Sequence, residues 1–214
     1  MRILALSNAF QPSIVVFSEG EHIVFSKVET LPFNKPNNLL YFTNEMFKEV
    51  GLKKSDINLI SVIYGPGSFT GTRTGVVGGK MIAFALGVPI VPVNSLEYIA
   101  MHASGNIYSL LRAGKNEFFA ARFEDGHRRG NDIIIKEEDL PDLEYPVVSP
   151  EEQLPLIKNG CTHIKPTPQK LIEKTINEYE AGNVLYDPLS LKPLYLHAVD
   201  VIFRKMKNDN SKDS

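Results

Sequence analysis

The chain has 214 residues, 43% of them hydrophobic and 22% charged, which suits one large domain or two lobes around a substantial core. A formal net charge of −2 argues against a stand-alone nucleic-acid binder, and a single cysteine, Cys161, excludes an intrachain disulfide scaffold. The apolar start Met1-Arg2-Ile3-Leu4-Ala5-Leu6 ends at Ser7-Asn8. That is too short for a signal peptide, and no run reaches the ~20 apolar residues of a membrane helix, so the default expectation is a cytoplasmic protein.

In chain order, Ile3–Leu6, Ser13–Ser18 and His22–Val28 read as three short strands, separated by turn residues at Gln11-Pro12 and Glu19-Gly20-Glu21. Pro36-Asn37-Asn38 can open a helix that runs to about Val50 and stops at Gly51. Leu39, Thr43, Met46, Phe47 and Val50 fall on one face of it. Leu59–Tyr64 is a continuous apolar run, as in a strand buried on both faces. A helix over 69–86 and a second buried strand at Val88–Val93 follow, and Asn94 or Ser95 caps a helix to about Ala103. The pattern restarts near Ser104-Gly105-Asn106. Ile107–Leu111 and Glu117–Phe123 pair as strands, and Gly126-His127-Arg128-Arg129-Gly130 reads as a basic turn leading to a strand at Asp132–Ile135. Tyr145–Val148 reads as a strand and Gln169–Glu180 as a helix; the tail from Lys205 is short, charged and expected to be disordered.

The stretch Gly65-Pro66-Gly67-Ser68-Phe69-Thr70-Gly71 joins a strand end, a tight turn and a helix start. The helix it opens carries Gly75, Gly78 and Gly79 in its interior, each costing about 1 kcal/mol against alanine. Gly71, Gly75, Gly79 and Ala83 step by four and form a bare stripe, along which another helix or another backbone can approach closely.

The run Gly65-Pro66-Gly67-Ser68-Phe69-Thr70-Gly71 with Arg73 and Gly75, set after an apolar strand, resembles the signature of the TsaB family, also called YeaZ. The likeness continues through Ala85–Ile90 and Asn94–Glu97, returns at Ala113–Phe119 and, more weakly, at Pro193–Leu196. The resemblance implies a two-lobed α/β fold of the actin/Hsp70/sugar-kinase type (ASKHA), with mixed sheets flanked by helices. The expected division is an N-terminal lobe over 1–103 carrying the partner-binding helices, a second lobe over 104–204 and a tail over 205–214. It further implies a subunit without catalysis of its own, and without a cofactor. Such a subunit binds the catalytic protein TsaD, with TsaE as a further partner, so that threonylcarbamoyl is transferred to adenosine 37 of ANN-decoding tRNAs. The expected partner surface comprises Leu39, Thr43, Met46 and Val50 on one helix with Gly71, Arg73, Gly75, Gly79 and Ala83 on the next. Alone, the protein is expected to form a homodimer through it, with tRNA met only in the larger assembly.

Two enzymatic readings stand beside this one. In the first, the Gly65–Gly71 turn holds the phosphate of ATP at a helix N-terminus. It is not a Walker A loop, however, and Ser7-Asn8-Ala9 stands where ATPases of this fold place a metal-facing aspartate. In the second, Ser68 or Thr70 is a hydrolase nucleophile; no Gly-x-Ser-x-Gly is present, and capping the helix is the plainer use of either hydroxyl. The histidines at 22, 102, 127, 163 and 197 have no ligand spacing, and Asn34–Asn38 lacks the His-x-x-x-His pair with which TsaD holds its metal, so no metal site is expected. Arg112, Lys115, Arg122, Arg128 and Arg129 form a modest basic cluster, read first as solvated hairpin charge and second as an RNA-backbone contact.

Overall fold

The computed structural model describes residues 1–30 and 39–196. The helix start expected at Pro36–Asn38 and the tail therefore lie outside the described residues. The chain forms an α/β fold with two five-stranded mixed sheets.

The first sheet comprises β1 (Arg2–Ser7), β2 (Ser13–Glu19), β3 (His22–Glu29), β4 (Leu59–Gly65) and β5 (Ile90–Asn94), in the order β3-β2-β1-β4-β5. β1, β2 and β3 are antiparallel neighbours, whereas β4 runs parallel to β1, from Ile3 opposite Leu59 to Leu6 opposite Val62. The second sheet comprises β6 (Ile107–Arg112), β7 (Glu117–Glu124), β8 (His127–Lys136), β9 (Val147–Ser149) and β10 (Cys161–His163). Its order, β10-β9-β6-β7-β8, is that of the first sheet read from the other edge. An antiparallel three-strand meander followed by two parallel strands thus occurs twice, the duplicated arrangement of the actin/Hsp70/sugar-kinase fold.

Strand alternation divides the first sheet between two helical layers. Leu4, Leu6, Ile60 and Val62 pack with α1 (Leu39–Val50) and α2 (Phe69–Leu86), through Leu39, Phe42, Met46, Val76 and Ala83. Ile3, Ala5, Leu59 and Ile63 face the other way, toward α3 (Ser95–Ala100) and α4 (Pro168–Glu180), through Leu96, Ile99, Leu171 and Ile172. That second core also includes Ile107, Leu111, Phe119 and Val148 of the second sheet, so one apolar cluster runs between the two halves. α4 follows the second sheet in sequence yet packs on the first, where Thr175 Oγ1 donates to Ser61 Oγ at 2.8 Å.

Local chemistry sets the element ends. Asn94 Oδ1 accepts from the N–H groups of Leu96 and Glu97 at 2.8 and 3.2 Å, capping α3, which ends at Ala100, three residues short of the expected Ala103. α2 ends at Gly87, whose φ of 65° is the left-handed cap that glycine accepts most readily. The expected basic turn at Gly126–Gly130 is instead mostly strand. The chain reverses at Asp125-Gly126, with φ of 50° and 77°, and β8 runs unbroken from His127. Asp-Gly is a strong hairpin signal, and it outweighs the charge that follows.

Candidate functional site

The turn between β4 and α2 packs onto the chain leaving β1. Ser68 N–H donates to Ala9 O at 2.7 Å, and Asn8 Nδ2 donates to Gly71 O at 3.0 Å. A Cβ at Gly67 would stand 2.2 Å from Ala9 O, and one at Gly71 would stand 2.2 Å from Asn8 O. The motif glycines therefore admit the chain's own backbone. Ser68 Oγ accepts from Gly71 N–H at 3.3 Å, an N-cap, and Thr74 Oγ1 donates back to Thr70 O at 2.8 Å.

The same contacts bear on a phosphate. The Ser68 and Gly71 N–H groups are already engaged, the Asn8 amide is held by Gly71 O and by Ser13 Oγ, and no carboxylate stands at residues 7–9. Ser7 Oγ and Thr72 Oγ1 have no partner among the described residues but lie in residues 0% and 1% exposed, beyond reach of a bound molecule. These residues do not fit a metal-bound nucleotide. No group of three His, Cys, Asp or Glu side chains placed to hold a metal ion occurs among the described residues, and residues 34–38, which contain no histidine, lie outside them.

The bare stripe of α2 faces inward. A Cβ at Gly79 would lie 2.1 Å from Val62 Cγ2, one at Gly75 would lie 3.4 Å from Asn8 Cβ, and Ala83 is fully buried. On α1, Leu39, Thr43 and Met46 are likewise buried, and Val50 is half-buried against the same core. The expected partner surface is thus largely the subunit's own interior, because amphipathic spacing marks a packed face without saying which body packs it. Of those nine residues, Arg73 is the one that lies exposed, its guanidinium 4.5 Å from the Phe69 ring centroid.

The opposite face of the two helices is apolar and open. Phe69, Val77, Met81 and Phe84 on α2 and Leu40 and Tyr41 on α1 are each 58–61% exposed. Phe69, Arg73, Val77 and Met81 step by four along one ridge, and Leu40 reaches within 3.8 Å of the Cβ position of Gly78, joining α1 to that ridge. Monomers rarely leave so continuous a patch uncovered.

The four arginines of the basic cluster, Lys115 being its fifth member, meet acidic partners. Arg112 meets Glu137, Arg122 meets Glu124 and Glu144, and Arg129 meets Glu124. Arg128 bridges Glu97 of α3 and Asp132 of β8, while Lys174 of α4 joins Glu97 at 2.8 Å and Glu178. With Asn94 Nδ2 donating to Asp132 at 2.8 Å, this network clasps the first sheet's helices to the second sheet. Burial pushes the Glu97 carboxyl up, but hydrogen bonds from Lys174 and Arg128 outweigh it and hold the group below its ordinary value.

Residues 35–179 match the family model described as TsaD, tRNA N6-adenosine threonylcarbamoyltransferase. An uncharacterized protein of Mycobacterium tuberculosis is 29% identical over 71% of this chain and 70% of its own length. The Bacillus subtilis tRNA threonylcarbamoyladenosine biosynthesis protein TsaB is 25% identical over 58% of this chain and 56% of its length. The fold matches YeaZ from Pseudomonas aeruginosa with a TM-score of 0.75 at 20% identity, covering 91% of this chain and 99% of that one. With the glycine turn folded against β1 and the helix pair presented beside it, the chain belongs to the TsaD-type family and, within it, to the TsaB/YeaZ group.

Proposed function

We propose that this protein works in threonylcarbamoyladenosine formation as the non-catalytic subunit, docking the outer face of α1 and α2 onto TsaD. The threonylcarbamoyl group then reaches adenosine 37 of ANN-decoding tRNAs on TsaD, with TsaE as a further partner. The observation that carries the reading is the exposed apolar ridge of Phe69, Val77, Met81 and Phe84 beside Leu40 and Tyr41. α1 and α2 lie inside the 35–179 segment that matches the TsaD model, which supports packing this pair against a comparable pair on the partner. The same face, apolar and exposed, pairs two copies when TsaD is absent.

Against an independent enzyme stand the engaged Ser68 and Gly71 N–H groups and the missing carboxylate at residues 7–9. A hydrolase reading finds the Ser68 hydroxyl engaged as a helix cap. The test reconstitutes modification with TsaD, TsaE and this protein, leaving out one component at a time. Activity is expected only with TsaD present. Threonylcarbamoyl transfer by this protein without TsaD would overturn the reading.

A further inference from the structure

Arg73 stands within the α2 ridge, one helical turn from Phe69 on one side and from Val77 on the other. It is exposed, and its guanidinium carbon lies 4.5 Å from the centroid of the Phe69 ring. That ring lies 5.2 Å from the Tyr195 ring, whose chain is tied down beside it by Leu194 N–H donating to Tyr64 O at 2.8 Å. The aromatic contact steadies a long side chain, so less ordering remains to be lost when a partner arrives. The guanidinium lacks a counter-charge. α2 has no acidic residue from Phe69 to Leu86, and no ion pair among the described residues includes Arg73. The other cation of the helix, Lys80, is engaged by Leu191 O at 2.8 Å.

We propose that Arg73 is the polar anchor of the docking face, and that the partner seats the carboxylate of an aspartate or glutamate on its guanidinium. The inference rests on the docking reading and follows from it by charge. A guanidinium between Phe69 and Val77 loses water when the ridge is covered, and a charge buried without a partner is strongly unfavourable. The described residues of this chain pair no carboxylate with it, so the counter-charge comes from the other side of the interface. A carboxylate suits the site because its two oxygens match the planar fork of a guanidinium, a pairing that fixes orientation as well as adding affinity. One such contact also sets a register along a ridge whose other members, Phe69, Val77 and Met81, are apolar.

The test titrates TsaD from the same source calorimetrically into wild type, Arg73→Met and the Val77→Asp, Met81→Asp variant. Each is used at a concentration where light scattering finds it unpaired, and each has its melting temperature recorded. Arg73→Met keeps an unbranched apolar stem without the charge, and at an exposed position with no ion pair it leaves folding unchanged. Arg73→Met is expected to bind at least about tenfold more weakly than wild type, because the partner's carboxylate is left buried and alone. Equal or tighter binding by Arg73→Met overturns the proposal, since removing an uncompensated charge from a buried ridge favours binding. Charge exchange then locates the carboxylate. Arg73→Glu is expected to bind weakly, and replacing acidic residues of TsaD by lysine, one at a time, to restore binding at one position. Restoration at no position overturns the proposal as well. If the Val77→Asp, Met81→Asp variant binds TsaD as wild type does, the docking reading fails and this inference with it. If that variant loses binding while Arg73→Met does not, the docking reading stands and the carboxylate alone is removed.

Discussion

Gly75 and Gly79 stand four residues apart on one face of α2, yet alanine should affect them in opposite directions. At Gly75 the new Cβ meets Asn8 Cβ at 3.4 Å, close to an ordinary contact, so the helix gain of roughly 1 kcal/mol dominates and the melting temperature rises. At Gly79 the Cβ would overlap Val62 Cγ2 at 2.1 Å in the middle of the sheet. Overpacking there costs about 1–3 kcal/mol, which outweighs the helix gain and lowers the melting temperature. Thermal denaturation of both variants checks the pair; equal shifts would show that the stripe does not seat on β4. Among charged residues, Glu97→Gln removes the carboxylate shared by Arg128 and Lys174 and should cost about 1–3 kcal/mol near neutral pH. The folded-state value of Glu97 lies below its ordinary 4.5, so its stabilisation is full above that value and is lost as pH falls through the folded value. Denaturant titrations should therefore show the gap between wild type and variant closing in acid. A gap that widened below pH 4.5 would contradict the assignment.

Elements were more legible than their neighbours. The 69–86 helix is found at the expected bounds, because Ser68 caps it and Gly87 ends it, both local signals. The apolar run at 59–64 becomes the buried β4 for the same reason. Cys161–His163 was not legible as a strand: three exposed residues have no alternation to display, and they become β10 only by pairing beside Val147–Ser149. The site was legible by motif and misread by face. Small residues on α2 mark where the helix sits on its own sheet, and the face proposed for docking shows only as apolar residues left uncovered, visible once burial is known. At this scale Val77→Asp should change folding stability by no more than about 0.5 kcal/mol, as surface substitutions do, while weakening association. Circular dichroism melts beside size-exclusion runs separate the two effects.

For the whole molecule, two sheets of equivalent topology share one core, and the clasp of Arg128, Glu97, Asp132 and Lys174 ties them across their polar edge. That framework holds α1 and α2 with their outer sides free, and the glycine turn, folded against β1, serves the framework more than any ligand. The central claim is that this outer side is the docking face for TsaD. Calorimetric titration of TsaD from the same source into wild type and into the Val77→Asp, Met81→Asp variant tests it most directly. The account predicts at least a tenfold loss of affinity in the variant with its melting temperature unchanged, because two charges would be buried without partners. Equal affinity in the two proteins would contradict it.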